Sequence, residues 1–448
     1  MKTNIQKYPA YKDSGVEWLG EIPSGWAEIK IKINSTIYNG DSLNENKKAK
    51  YESDDETHLA YISSKDIDLD TSIISYENGL RIPRNEPKYK VAKINSSLIC
   101  IEGGSAGRKI AFTNQDVCFV NKLACVSAKN NLNSKFLYYT LKGSLFQTQF
   151  KLAMSGMIGG VAISSINNFY ILIPPLPEQT AIAAFLDRKT TLIDQAIGIK
   201  QKQIDLLKER RQILIHNAVT RGLNPNVKMK DSGVEYLGDI PKEWNVVRFK
   251  YIIRTKARLG WKGLKASEYV DNSDYGFLAT PNIKGENIDY SGAYFITKKR
   301  YEESPEIMLK KDDILLVKDG STLGIINIVK SMPFNCTVNS SIAVLRILDD
   351  NLLNAEYLNY FLKSDYSQKI IELKKDGMGV PHLFQSDINN FIALIPTFKE
   401  QKEILIHIEK QITKTSTAIS LKEQEIEKLK EYKATLINCA VTGKIKVC

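Results

Sequence analysis
The sequence predicts an α+β protein in which two sheet-rich globular domains form a pseudo-two-fold tandem repeat, joined by two long helices that make an antiparallel coiled coil. Three observations predict it: a duplicated order of sequence markers, short strand-like runs inside each copy, and a heptad of apolar residues at the end of each copy.

The markers establish the duplication. Lys12 to Lys32 reads KDSGVEWLGEIPSGWAEIKIK and Lys230 to Lys250 reads KDSGVEYLGDIPKEWNVVRFK, identical at 12 of 21 positions at an offset of 218. Further on, Ile173 to Leu223 matches Ile395 to Ile445 at an offset of 222, and Ile-Asn-Asn-Phe precedes each, at 166–169 and 388–391. The second copy is therefore four residues longer between its markers. A period near 220 is far too long for a solenoid, so one large unit has been duplicated.

Within each copy, β-branched runs such as Leu98–Ile101, Ile314–Val317 and Ser341–Leu345 alternate with Gly, Asn, Asp and Ser clusters, the pattern of a compact sheet-rich domain. Helical spacing interrupts it near 135–150 and 355–373. After Pro177 the period changes. Ile193, Ile197, Lys200, Ile204, Leu207, Arg211, Leu214 and Ala218 step by four and three, and Ile419, Lys422, Ile426, Leu429, Lys433, Leu436 and Ala440 repeat the phase. Gly222 and Pro225 stop the first helix and Gly443 the second. A helix of some 40 residues, about 60 Å, cannot hide its stripe against its own small domain. The expectation is a spacer with one domain at each end, and an N-terminal segment that packs near the end of the second helix. The division is 1–173, N-terminal arm and first domain; 174–223, first spacer helix; 224–395, linker and second domain; and 396–448, second spacer helix.

Composition narrows the function. At about 150 residues per domain, 448 residues suggest roughly three domains. Hydrophobic residues at 43% and charged residues at 25% exclude a disordered or fibrous chain. A formal charge of +11 suits a polyanionic partner, although membrane surfaces and plain solubility also fit. No apolar run is long enough to span a membrane and the first nine residues carry no secretory core, so no membrane partner and a reducing cytoplasm are expected. The six cysteines fall at no zinc or disulfide-framework spacing, and no metal site is expected.

Catalytic patterns are weak. Gly103-Gly104-Ser105-Ala106-Gly107 fits a nucleophile elbow, but the second copy, Asp319-Gly320-Ser321-Thr322-Leu323, keeps only Gly-Ser. Glu372-Leu373-Lys374 has the order of a metal-dependent nuclease, yet lies on a helical pattern. No phosphate loop, dinucleotide fingerprint or amino-methyltransferase motif occurs, so no catalytic residue is assigned. A nuclease or hydrolase acting alone is the alternative.

Binding remains. Cations stand beside aromatics and amides in both domains, and they neutralise phosphates while Arg, Asn and Ser read base edges. The candidate DNA-binding residues are Arg84, Lys88, Lys90, Ser105, Arg108, Lys109, Asn121 and Lys122 in the first domain. In the second they are Arg258, Lys262, Lys265, Arg300, Lys318, Ser321 and Asn339, with Trp261 and Tyr301 nearby. The sequence pairs Gly104-Ser105 with Gly320-Ser321, and Cys118–Asn121 with Cys336–Asn339 at an offset of 218. Such a turn and amide present donors to DNA, or equally form a hairpin whose Asn caps a turn.

Together these markers resemble the specificity subunit of type I restriction-modification systems. The resemblance rests on KDSGVEWLGEIPSGW and KDSGVEYLGDIPKEW, on Ile173-Pro174-Pro175-Leu176-Pro177-Glu178-Gln179, and on Ile395-Pro396 with Glu400-Gln401 in the second copy. Asp312-Asp313-Ile314-Leu315-Leu316 with Gly320 is similar to the family's Gly-Asp-Ile-Leu element, with Lys311-Asp312-Asp313 replacing Gly-Asp and Asn95-Ser96-Ser97-Leu98 departing further. The resemblance implies two target-recognition domains that each read half of a bipartite double-stranded DNA target. The helices would set their distance and dock two methyltransferase (modification) subunits, which restriction subunits join. It also implies a chain that is not itself an enzyme. S-adenosylmethionine, and ATP and Mg for restriction, would belong to the partners. Half-site centres about 34 Å apart suit two domains on one face of a duplex. Because the domains differ more than their flanks, the target is expected to be asymmetric.

Overall fold
The computed structural model describes residues 6–15, 20–155, 159–257, 264–375 and 381–447. The two long helices run over Leu176–Arg221 and Phe398–Val441, about 69 and 66 Å at 1.5 Å per residue. Gly222 and Gly443 follow them at φ of 75° and 71°, the left-handed conformation that ends a helix without a Cβ penalty. The chain divides into two compact units, 1–201 with 423–448 and 202–422, so each unit takes part of both helices.

In the first unit the marker segment folds as a hairpin, Tyr11–Asp13 against Glu21–Pro23. The main sheet has the order Ser35–Asn39, Leu123–Ala128, Ser97–Cys100, Ile110–Phe112, all antiparallel. A second sheet pairs Arg81–Ile82, Leu59–Ile62, Val117–Phe119 and Val91–Ala92, with the middle two strands parallel. The second unit repeats the hairpin with Met229–Asp231 and Asp239–Pro241. Its main sheet is Ile253–Lys256, Ile342–Ile347, Ile314–Val317, Ile326–Ile328, and its second sheet again holds a parallel pair, Tyr275–Leu278 with Asn335–Val338.

The helical stretch expected near 135–150 is two helices, Ser134–Lys142 and Ser144–Leu152, and the one near 355–373 is Ala355–Leu362 followed by Asp365–Lys374. The break lies at Gly143 in one case and at Ser364 in the other, where the serine caps the next helix by accepting from Ser367 N–H. A Cβ on Gly143 would come within 2.6 Å of Val441 Cγ2, so glycine there lets the long helix approach.

The repeated motifs now have physical reasons. Buried Trp26 and Trp244 donate from Nε1 to Glu178 (3.2 Å) and Glu400 (3.0 Å) at the start of each long helix. The adjoining Gln179 and Gln401 are buried too, and each side-chain amide bridges the Ile-Pro carbonyl and the loop before the first short helix. The Gly-Asp-Ile-Leu departure is also accounted for. Asp312 and Asn95 occupy the same turn with φ of 70° and 65°, and Asn and Asp are the non-glycine residues that tolerate that region best.

In the first unit the helices run antiparallel: Asp194 pairs with Lys433 (2.7 Å) and Lys200 with Glu425 (2.6 Å), partner numbers falling as the others rise. Ile182, Leu186 and Ile193 enter one core with Leu436, Ile437 and Val441, together with Trp26, Phe136 and Phe146. The N-terminal arm packs where expected. Lys446 N–H donates to Gln6 O (2.8 Å), and Tyr11 OH donates to Gly443 O (3.3 Å). In the second unit Ile215, Ala218 and Val219 share a core with Ile404, Leu405, Ile408, Trp244 and Phe361. Of the seam residues, Ile193, Ile204, Ile419, Ile426 and Leu436 are buried, whereas Ile197, Leu207, Leu214 and Leu429 are half-buried.

Candidate nucleic-acid interface
The parallel pair in each second sheet directs two loops out of the same sheet end. In the first unit Phe119 stands opposite Ile62, so the 63–66 and 120–122 segments emerge together. Ile101 N–H donates to Lys122 O (2.9 Å), and Lys109 Nζ donates to Ser64 O (2.6 Å), which brings the 101–109 turn to the same place. Ser105, Arg108, Lys109, Asn121 and Lys122 thus gather at one end. Lys90 flanks it, its Nζ 3.1 Å from Asn39 O, while Asp41 N–H donates to Phe119 O (3.0 Å). Arg84 does not join them: it follows the strand opposite Leu59, at the other end, where its Nε donates to Thr57 O (2.9 Å). Lys88 is exposed on the intervening loop, its Nζ 6.0 Å from the Tyr89 ring centre.

The second unit repeats the arrangement. Asn339 N–H donates to Leu278 O (2.9 Å) and Lys318 N–H to Ser341 O (2.8 Å), collecting Lys318, Ser321 and Asn339. Arg300 and Lys265 lie elsewhere. Arg300 is held by Glu268 (3.1 Å) and Glu303, and the Lys265 backbone N–H donates to Glu268 Oε2 (2.7 Å). Two carboxylates already neutralise that guanidinium, a poor starting point for meeting phosphate. Arg258, Lys262 and Trp261 lie outside the described residues.

Both sequence pairings slip by one residue. Gly103 and Gly320 share φ near 90°, and their N–H groups donate to Gly159 O and Pro381 O. Gly107 and Gly324 likewise donate to Cys100 O and Val317 O, so the offset is 217 and Ser105 corresponds to Thr322 rather than Ser321. For the amide, Val120 and Asn339 make the equivalent bonds to Ile62 O and Leu278 O, so Asn121 corresponds to Ser340. Short matches are decided by ladder register, which one inserted residue shifts.

Electrostatics sort the cations. Lys122 lies 3.5 Å from Glu102 with both side chains about half exposed, whereas Lys318 is more enclosed, 2.8 Å from Asp319. Arg108 is exposed and lines an open cleft with Phe150, Lys151 and Met154. Sequence reasoning missed a second cationic group. Arg254 stands directly opposite Arg346 on the main sheet, with Lys256 two residues along and Lys310 nearby. Burial, and then Arg346, push the Lys256 ammonium below its usual range. Like charges opposed on a sheet are unfavourable without a counter-charge, which Asp313 supplies to Arg346 at 2.5 Å. The alternation Arg-x-Lys in a strand was the available signal. His382, bonded through Nδ1 to Asp319, also stands at this end, outside the residues that the sequence singled out.

The enzymatic motifs gain no catalytic partner among the described residues. Among the described residues neither Ser105 nor Ser321 hydrogen-bonds a histidine, and exposed Glu372 pairs with Lys375 (2.9 Å) on a helix face. Among the described residues no group of three His, Cys, Asp or Glu side chains is placed to hold a metal, and no helix is long and apolar enough to cross a membrane.

A family model described as the type I restriction modification DNA specificity domain matches residues 23–209 and 241–431. The type I restriction enzyme MjaVIII specificity subunit of Methanocaldococcus jannaschii is 25% identical over 80% of this chain and 81% of its own length. The EcoKI specificity subunit of Escherichia coli K12 is 23% identical over 87% and 82%. A chain from a structure of type I restriction-modification complex assembly superposes with a TM-score of 0.70 at 16% identity, covering 95% of this chain and 99% of that one. The HsdS subunit from Thermoanaerobacter tengcongensis gives a TM-score of 0.51 at 15% identity over 95% and 98%. With both halves matched by one model and the duplicated fold shared, the chain belongs to the type I restriction-modification DNA specificity family.

Proposed function
We propose that this chain is the DNA-reading subunit of a type I restriction-modification complex, each of its two recognition domains contacting one half of a bipartite, asymmetric target. The observation that carries the reading is the family match to both copies, each with basic and amide side chains gathered at the same end of its second sheet. Lys and Arg there supply phosphate affinity, and the exposed turns carry the groups that discriminate bases. The chain itself targets rather than catalyses. Adenine methylation with S-adenosylmethionine, and restriction with ATP and Mg, fall to two modification subunits and to restriction subunits in the cytoplasm.

The long helices are the docking element for the modification subunits in this reading. Leu192, Ile199, Leu206 and Ile213 recur every seven residues on the first helix and are 46–63% exposed. A helix turned only toward its own partner would carry polar residues there.

The test is a methylation map of host DNA with and without the gene, its partners intact. Loss of one gapped, asymmetric adenine motif is the expected result, and an unchanged map would contradict the reading. Glu372→Ala should leave the motif and its methylation intact, and Ser105→Ala should leave the catalysis of methylation by the partner subunits intact, whereas a nuclease or hydrolase acting alone would lose activity with either. Lengthening both long helices by the same number of residues should change the gap and leave both half-sites as they were.

A further inference from the structure
At the reading end of the second unit three segments are stitched by backbone hydrogen bonds. Gly320 N–H donates to Pro381 O (2.9 Å), Leu383 N–H to Lys318 O (2.9 Å) and Lys318 N–H to Ser341 O (2.8 Å). The first unit makes the same three bonds, from Gly103 to Gly159, Val161 to Ile101 and Ile101 to Lys122. At the centre of the stitch Asp319 bridges His382, as Glu102 bridges Gly160. The frame therefore forms with glycine at this position and does not need the imidazole.

The imidazole is nevertheless held. Asp319 Oδ1 meets His382 Nδ1, while Lys318 Nζ lies 2.8 Å from Asp319 Oδ2. Exposure rises from 14% for the Lys318 side chain through 21% for Asp319 to 35% for His382, so the ring is the most exposed of the three. Phe384, half exposed, stands edge-on to the ring at 4.6 Å between centres and restricts its rotation. With Nδ1 engaged, Nε2 is the nitrogen left for an incoming ligand.

We infer that His382 reads a base edge in the half-site contacted by the second unit, and that Asp319, with Lys318 as its counter-ion, is the positioning residue that aims it. The inference rests on the DNA-reading function proposed above. It names a contact that the first unit, with Gly160, lacks, and so gives a physical source for asymmetry between half-sites. A base contact and a phosphate contact differ in outcome: losing the first relaxes one position, whereas losing the second weakens all sequences alike.

The experiment compares methylation maps from cells carrying the full wild-type complex and the complexes with His382→Ala, Asp319→Ala and Asp319→Asn. His382→Ala should make one base pair of one half-site degenerate, discrimination there falling roughly ten-fold, with the other half-site and the gap unchanged. Asp319→Ala should broaden the same position, and Asp319→Asn, which keeps an acceptor for Nδ1–H, should restore it. An unchanged motif in His382→Ala overturns the inference. So does uniformly slower methylation of the same motif, which marks a phosphate contact, and so does complete loss, which marks a structural role. A wild-type complex with no gapped motif at all would instead remove the DNA-reading function itself, an outcome read before any variant is compared.

Discussion
At one corresponding point of their main sheets the two recognition domains hold opposite chemistry. The second unit forks Arg346 onto buried Asp313, at 2.6 and 2.5 Å, with Met308 O accepting a further bond. The first unit places Ser127 Oγ 2.7 Å from Ser96 Oγ. The strand pairings around both are the same, since Leu98 faces Cys125 and Ala111 as Leu315 faces Val344 and Asn327. A hydrogen-bonded ladder sets the frame and leaves the side chains on it to diverge, even where they are buried.

The comparison predicts unequal costs. Arg346→Met leaves a buried carboxylate without its partner and should destabilise the protein by about 3–5 kcal/mol, while Ser127→Ala should cost about 1 kcal/mol. Urea unfolding midpoints measure both, and equal shifts would break the contrast. Adding Asp313→Asn to Arg346→Met should recover much of the loss.

The helix ends give a second pair. Gly443 and Gly222 both hold positive φ, but a Cβ on Gly443 would come within 2.4 Å of Pro23 Cδ and Cγ, against 3.3 Å for the nearest atoms around Gly222. Backbone strain alone costs about 1–2 kcal/mol, and overpacking adds roughly 1–3 kcal/mol. Gly443→Ala should therefore be the more destabilising by thermal or urea denaturation.

Two lysines at the ends of equivalent helices sharpen the likeness instead. Burial pushes Lys142 and Lys363 down to about 8. Among the described residues Lys142 Nζ donates to two neutral groups, Ser72 Oγ (2.8 Å) and Tyr138 OH (2.9 Å). The unfolded chain keeps its proton up to the ordinary lysine pKa of 10.5, so between about 8 and 10.5 the unfolded state binds more protons and stability rises with pH. Lys142→Met and Lys363→Met should each be more stable than wild type near pH 7, with the advantage shrinking as pH approaches 10. A constant difference would refute burial as the cause.

The smallest effect is expected on the long helices. Lys200 and Glu425 remain partly exposed, so Lys200→Ala should cost under about 1 kcal/mol and less in high salt.

Much of this fold was legible because its signals are local. Gly222 and Gly443 marked the helix ends, and the three-four spacing of Ile193 to Ala218 marked the buried stripe. Gly143 and Ser364 could have been read as breaks, but the apolar spacing continues across both, so the periodicity hid them. The candidate interface was half legible. Lys122 and Lys318 stand at the predicted loops, while Arg84 and Arg300 share their composition and lie elsewhere. The pairing of His382 with Asp319 was invisible in the sequence because the two lie 63 residues apart.

By itself the sequence determined the duplication, the two long helices with their stops, and the sheet-rich character of each copy. All of these follow from residue period and backbone preference over a few neighbouring positions. Only the tertiary structure decided which cations gather and which are already neutralised. Those outcomes depend on the parallel pairing of Leu59–Ile62 with Val117–Phe119, on its counterpart in the second unit, and on carboxylates brought in from distant segments. Strand register and long-range charge pairing are non-local, and no window of sequence contains them.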